Sequence, residues 1–141
     1  MIGVSPQIIV AEPMQRGTAA AIACAAFVLQ QDNPLMLVMP SDHVVTDIKI
    51  FEETVRPVAE MFENAPVIFG KRPDNASARY GYIRVHEEGE VYQLNSFIEK
   101  PPVKIARKMM HDGNVFWNTG IFICRARTML ELFSEHAPEV F

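Results

Sequence analysis

Four short polar clusters in this chain carry groups suited to bind a hard cation, an anion or a hydroxylated ring. Pro40-Ser41-Asp42-His43 follows the apolar run Leu35–Met39. A carboxylate just past a strand can hold Mg2+, which takes oxygen ligands. Read alone, Asp42 fits a turn or helix-capping role better, and His43 a structural hydrogen-bonding role rather than a metal ligand. Glu99-Lys100-Pro101 sets a carboxylate beside an ammonium: Glu99 can accept from hydroxyls and Lys100 can neutralise a phosphate. The plain reading of that pair is a solvated ion pair before a proline turn. In Phe116-Trp117-Asn118-Thr119-Gly120, polar groups and a glycine interrupt an apolar strand, which fits either a closely approaching ligand such as a sugar or a β-bulge. In Arg79-Tyr80-Gly81-Tyr82-Ile83, a glycine between tyrosines either lets a ring approach the backbone or makes a turn into a strand.

The elements that must position these clusters follow one another closely. Ile8–Ala11 reads as a short buried strand ending at Glu12-Pro13. Thr18 is placed to cap an alanine-rich helix reaching about Gln31. Leu35–Met39 reads as a strand covered on both faces. Asp47 caps the next helix, whose stripe is Phe51, Val55, Ala59 and Phe62, with Pro57 inside it. Val67–Gly70 is a short strand. Tyr82–His86 and Val91–Ile98 form a hairpin across the turn Glu87-Glu88-Gly89-Glu90. Val103–His111 is a basic helix closed by Gly113, Phe116–Cys124 a strand, and Ala126–His136 a helix stopped by Pro138. This alternation predicts an α/β sandwich with a mainly parallel sheet plus a hairpin. Ligands in such sheets bind beyond strand carboxyl ends. The clusters at Glu12–Thr18, Pro40–His43 and Glu99-Lys100 all follow predicted strands.

Composition narrows the function classes. The chain has 141 residues, 49% of them hydrophobic, and a net charge of −4. Three Lys or Arg stand against eight Asp or Glu in residues 1–70, and ten against nine in residues 71–141. No strongly basic face favours a nucleic acid, although Lys100, Lys104, Arg107 and Lys108 favour a small anion locally. The two cysteines, Cys24 and Cys124, lack a metal-ligand spacing and read as buried thiols. No apolar run spans a membrane and no signal-peptide pattern opens the chain, so a cytoplasmic location is expected.

Taken in order, the clusters resemble the sugar-1-phosphate nucleotidyltransferases, in particular the mannose-1-phosphate guanylyltransferase branch. Glu12–Thr18 resembles E-P-x-x-R-N-T, Pro40–His43 resembles P-[AS]-D-H, and Tyr80–Ile83 resembles Y-G-Y-I. Phe97–Pro101 resembles F-[VI]-E-K-P, and Trp117–Phe122 resembles W-N-[ST]-G-[IM]-F. The resemblance runs along essentially the whole chain. It implies a Rossmann-like nucleotidyltransferase fold and transfer of a guanylyl group from GTP to mannose 1-phosphate with Mg2+. By position, Asp42 would hold Mg2+ and Lys100 the sugar phosphate, the two taken as catalytic. Gly81, Glu99 and Asn118 would bind the sugar, and Glu12, Pro13, Arg16, Gly17 and Thr18 would line the nucleobase.

The departures are equally specific. Nothing matches the glycine-rich G-x-G-x-R-L-x-P-L loop whose backbone N–H groups hold a triphosphate, nor the second metal-binding Asp. The expectation is therefore an incomplete domain over 1–141, not competent alone. Its sheet would lack strands between Ile8–Ala11 and Leu35–Met39, and a homo-oligomer or a complementing chain would close it. Ala76–Arg79 stands where P-E-T-G is usual, which puts an Arg near the sugar, and Gly17 stands where Asn is usual. Two other readings stay open: a non-catalytic sugar-phosphate-binding or assembly module, and a transferase for glucose 1-phosphate with dTTP or UTP.

Overall fold

A computed structural model describes residues 5–14, 16–62, 65–86 and 92–140. The Glu87–Glu90 turn lies outside the described residues. The chain divides into two compact units, one of Met1–Val38, Val44–Val67 and Ile123–Phe141, the other of Met39–His43 and Ile68–Phe122. In chain order the helices are α1 (Thr18–Leu29), α2 (Ile48–Met61), α3 (Val103–His111) and α4 (Ala126–His136), with a 3-10 turn at Pro138–Val140. The strands are β1 (Leu35–Val38), β2 (Val67–Lys71), β3 (Tyr82–His86), β4 (Gln93–Ile98) and β5 (Val115–Arg125). Among the described residues, no helix is long and apolar enough to cross a membrane.

In the first unit α1 packs on α4. Small side chains permit this, with Ala23 and Ala26 buried on α1 and Ala126 and Met129 on α4. The α1 terminus and the α4 start share one polar knot. Arg127 Nε and Nη2 donate to the carbonyls of Gln30 and Gln31 at 2.9 and 3.0 Å, satisfying acceptors left open at the end of α1. Asn33 Oδ1 accepts from Arg127 N at 3.0 Å and so caps α4 from a distant part of the chain. Asn33 sits at φ 47, a left-handed conformation that Asn tolerates better than most residues. α2 is capped as expected, Asp47 Oδ1 accepting from Ile50 N at 3.0 Å. Its stripe of Phe51, Val55, Ala59 and Phe62 is half-buried, and no α2 residue is fully buried.

In the second unit Tyr82, Ala106, Met109, Val115 and Trp117 form the core. The amphipathic α3 delivers Ala106 and Met109 to it, while Pro102, fixed at φ −52, opens that helix. The fully buried Tyr82 keeps its hydroxyl satisfied by accepting from Ser77 N at 3.0 Å.

The sheet order is β1-β5-β3-β4, with β2 also pairing β5. The α/β, Rossmann-like class holds, but the mainly parallel sheet does not. β3 is antiparallel to β4 and antiparallel to β5. The helix between β4 and β5, α3, does not link adjacent strands. It instead links two strands that flank β3, so the crossover passes over β3 and leaves antiparallel neighbours on each side.

Other expectations change locally. Ile8–Ala11 forms no strand and is exposed, because no strand among the described residues lies beside it to pair its backbone. The N-cap of α1 is Gly17, at φ 85, and no side chain caps it; Thr18 is the first helical residue. That helix stops at Leu29, short of Gln31. β1 ends at Val38 and is not covered on both faces: Met36 is buried while Leu37 is exposed. Cys24 is exposed and Cys124 buried, and both are free. Burial raises the Cys124 thiol above its ordinary pKa.

Candidate functional site

The second unit brings one set of the singled-out residues into a row across three strands. The β3–β4 ladder pairs Tyr82 with Ile98, and the β3–β5 ladder pairs Tyr82 with Trp117. One residue earlier on β3, Gly81 therefore falls between Glu99 and Asn118. Contacts agree: Asn118 N donates to Gly81 O at 2.8 Å. A Cβ on Gly81 would lie 2.9 Å from Glu99 Oε2 and 2.7 Å from Phe97 Cζ. Directly opposed residues share a sheet face. The missing side chain of Gly81 thus lets the Phe97 ring tip and the Glu99 carboxylate lie over its backbone, with Glu99 and Asn118 on either side of it, roughly two strand spacings or ~10 Å apart at the backbone.

Both ends of this row are polar. Lys100 Nζ stands 3.2 Å from Glu99 Oε1, both side chains well exposed. Lys100 adopts φ 42, a left-handed conformation that costs a non-glycine residue energy and turns the chain sharply into Pro101. At the other end, Asn118 Oδ1 accepts from Gly120 N at 3.0 Å, and Thr119 Oγ1 donates to Phe69 O at 2.6 Å. The polar interruption in β5 is therefore internally bonded around Gly120, at φ 71, whose Cβ would meet Pro40 Cγ at 3.2 Å. That approach ties the Pro40–His43 turn to the same unit.

Sequence reasoning missed three contacts. Phe97 lies against Gly81, and its position two residues before Glu99 on β4 could have shown that both share a face. The Tyr80 and Trp117 rings lie 4.7 Å apart, and Lys71 Nζ is 5.1 Å from the Trp117 centroid. Lys71 also pairs with Asp74 at 2.9 Å, and this hydrogen bond holds the Asp74 carboxyl below its usual range. No local signal in the sequence announces the contact between Lys71 and Trp117. The buried Trp117 Nε1 has no hydrogen-bond partner among the described residues.

Asp42 is exposed in a turn, and His43, expected to make a structural hydrogen bond, makes none among the described residues. No group of three or more His, Cys, Asp or Glu there could enclose a metal. A single exposed carboxylate does suit Mg2+ that keeps its waters and is otherwise held by substrate phosphates, which is a common mode for this ion. Glu12, Pro13, Arg16, Gly17 and Thr18 belong to the first unit, with Gln15 between them outside the described residues. Glu12, Pro13, Gly17 and Thr18 are exposed, and Arg16 Nε lies 3.1 Å from Met14 Sδ. Gly17 needs its glycine for φ 85, although a Cβ would meet no atom.

Residues 2–140 match the nucleotidyl transferase family, and the chain belongs to that family. Within it the similarity runs to the mannose-1-phosphate guanylyltransferases. The chain is 37% identical over 138 residues to a putative mannose-1-phosphate guanylyltransferase of Vibrio cholerae, covering 94% of this chain and 30% of that protein. It is 35% identical over 145 residues to the mannose-1-phosphate guanylyltransferase of Sinorhizobium fredii, covering 99% and 28%. Among solved structures it is similar to one described as a mannose-1-phosphate geranyltransferase from Thermus thermophilus. That match has a TM-score of 0.84 at 35% identity, over 93% of this chain and 40% of the other. The chain thus spans about 30% of the length of the curated relatives it matches.

Proposed function

We propose that the row Glu99–Gly81–Asn118 binds a hexose 1-phosphate of the mannose type, and that the chain supplies this half of a guanylyltransferase site. The row Glu99–Gly81–Asn118 carries the reading. With no side chain on Gly81, a sugar ring can lie against the sheet there once the exposed Phe97 and Glu99 side chains swing aside. Glu99 accepts hydrogen bonds from ring hydroxyls, and Asn118 contributes amide donors and an acceptor. Lys100 neutralises the sugar phosphate and orients it. In the transfer, a phosphate oxygen of the sugar 1-phosphate attacks the α-phosphorus of GTP. The bond from that phosphorus to the bridging oxygen breaks, and pyrophosphate leaves. Such chemistry depends on positioning and charge neutralisation. Mg2+, when bound through Asp42, would offset charge on the phosphates. Glu12, Pro13, Arg16, Gly17 and Thr18 are assigned to the nucleobase by family position, and the setting is cytoplasmic.

A second reading, sugar-phosphate binding without transfer, draws support from the exposed Arg79, two residues before Gly81. It adds a cation where the family pattern has glycine. Calorimetric titration with mannose 1-phosphate tests both readings. Saturable binding that weakens ~10-fold or more in Lys100→Ala is expected, in line with loss of a charge-assisted contact. A folded protein that binds neither mannose nor glucose 1-phosphate would sink the assignment. Preference for glucose 1-phosphate would move it to the thymidylyl or uridylyl branch. Adding Mg2+ and GTP separates the readings, since only the transferase releases pyrophosphate.

A further inference from the structure

Two rows of side chains lie next to each other on one face of the second unit's sheet. The registers that oppose Tyr82 to Ile98 and Trp117 also oppose Ile83 to Phe97 on β4 and to Phe116 on β5. Residues two apart on a strand share a face. The apolar row Phe97–Ile83–Phe116 therefore runs beside the polar row Glu99–Gly81–Asn118. Two members of the apolar row are already covered. Ile83 is buried, and Phe116 lies 5.6 Å from the Tyr92 ring and 4.9 Å from the Arg72 guanidinium, with Gly70 against it. Phe97 differs in being 46% exposed.

The Phe97 ring leans diagonally from its own row onto Gly81 in the polar row, where a Cβ would meet its Cζ at 2.7 Å and its Cε2 at 3.0 Å. Glu99 Oε2 lies 2.9 Å from the same point. A half-open aromatic ring and a carboxylate thus share one spot on the sheet. A pyranose divides its surface in the same way, with hydroxyls around its rim and C–H groups on its faces. The hydroxyls match Glu99 and Asn118, and a C–H face matches an aromatic surface that is otherwise left to water. Inorganic phosphate offers charge to Lys100 and nothing to the ring.

We infer that Phe97 is a binding residue of this site, and that it selects a phosphate carried on a pyranose ring over phosphate alone. The inference rests on the sugar-phosphate reading of Glu99, Lys100 and Asn118 given above. The ring leaves Gly81 as the sugar enters and packs on the sugar's C–H groups. Rotation about two side-chain bonds is enough for that movement, so β4 stays in place and its neighbour Glu99 keeps its register. The competing role is purely structural, since an aromatic ring laid over a cross-strand glycine stabilises a sheet by itself. In that role the ring only obstructs the site, and removing it leaves affinity unchanged or raises it.

Calorimetric titration of the full chain with mannose 1-phosphate and, separately, with inorganic phosphate distinguishes the two roles. Phe97→Ala is expected to weaken mannose 1-phosphate binding ~3–10-fold, the range of one aromatic contact, and to leave inorganic phosphate binding unchanged. Phe97→Tyr, which keeps the ring, is expected to recover most of the loss. Lys100→Ala is expected to weaken both ligands. Mannose 1-phosphate binding that is unchanged or tighter in Phe97→Ala, while Lys100→Ala still weakens it, would overturn the role of Phe97 and leave the sugar-phosphate reading standing. An equal loss for inorganic phosphate in Phe97→Ala would also overturn it, because the whole site would then be disturbed. A folded wild type that binds no mannose 1-phosphate overturns the reading and this inference together. Should Phe97→Ala fail to fold by circular dichroism, Phe97→Leu, which keeps apolar bulk and removes the ring face, carries the same expectation and is overturned by the same results.

Discussion

Gly81 and Gly70 are both crowded, yet they predict different outcomes. A Cβ on Gly81 meets the far ends of two exposed side chains, the Phe97 ring tip and the Glu99 carboxylate. Those groups can swing away. Gly81→Ala is therefore expected to cost under ~1 kcal/mol of stability, while displacing Glu99 and weakening sugar-phosphate binding. A Cβ on Gly70 meets Phe116 Cβ at 2.7 Å, next to the backbone of β5. Nothing there moves without the strand, so Gly70→Ala is expected to cost ~1–3 kcal/mol, as overpacking does. Urea unfolding of both variants, alongside mannose 1-phosphate titration, checks the contrast. Equal stability losses would mean that the two approaches are equally rigid.

At the scale of elements, α1 and α4 are joined by Arg127 and Asn33 rather than by caps of their own. Arg127→Ala removes two charge-assisted hydrogen bonds from carbonyls at the α1 terminus. A loss of ~1–3 kcal/mol is expected, with Arg127→Lys recovering only part because an ammonium cannot fork across two carbonyls. Asn33→Ala removes the cap of α4 and places Ala at φ 47, with an expected cost of ~1–2 kcal/mol. Asn33→Gly should lose less, since glycine tolerates that φ. Thermal unfolding of the four variants checks the order; an Asn33→Gly variant less stable than Asn33→Ala would contradict the backbone argument.

Across the whole molecule, stability is unevenly distributed. β3 has three buried side chains in five residues and a strand on each side, whereas α2 has no buried residue. Amide exchange follows local opening, which is easiest where few apolar contacts are lost. Amides of β3 bonded to β4 and β5 are expected to exchange most slowly, and those of α2 markedly faster under the same conditions. Hydrogen exchange read by mass spectrometry or NMR checks this, and equal protection of α2 and β3 would show that the chain opens only as one unit.

Much was legible from local chemistry. Asp47 as a cap, Gly113 after α3 and the bounds of β3, α3 and α4 all follow from turn residues and apolar period, which act over a few residues. The polar clusters were visible as residue types, and their order along the chain carries the family. Pairing was not legible. Which strand lies beside which, and in what direction, depends on neighbours tens of residues away, so alternation of strands and helices was read as a parallel sheet where β3 runs against both its neighbours. Ile8–Ala11 failed as a strand for the same reason: its composition favours extended backbone, but a strand exists only where another pairs with it. Residue types and local spacing were enough for most of the helices and strands, for the charge and for the polar clusters along the chain. Only the tertiary structure set Gly81 between Glu99 and Asn118, because register across a sheet is fixed by the burial of whole strands and not by any residue alone.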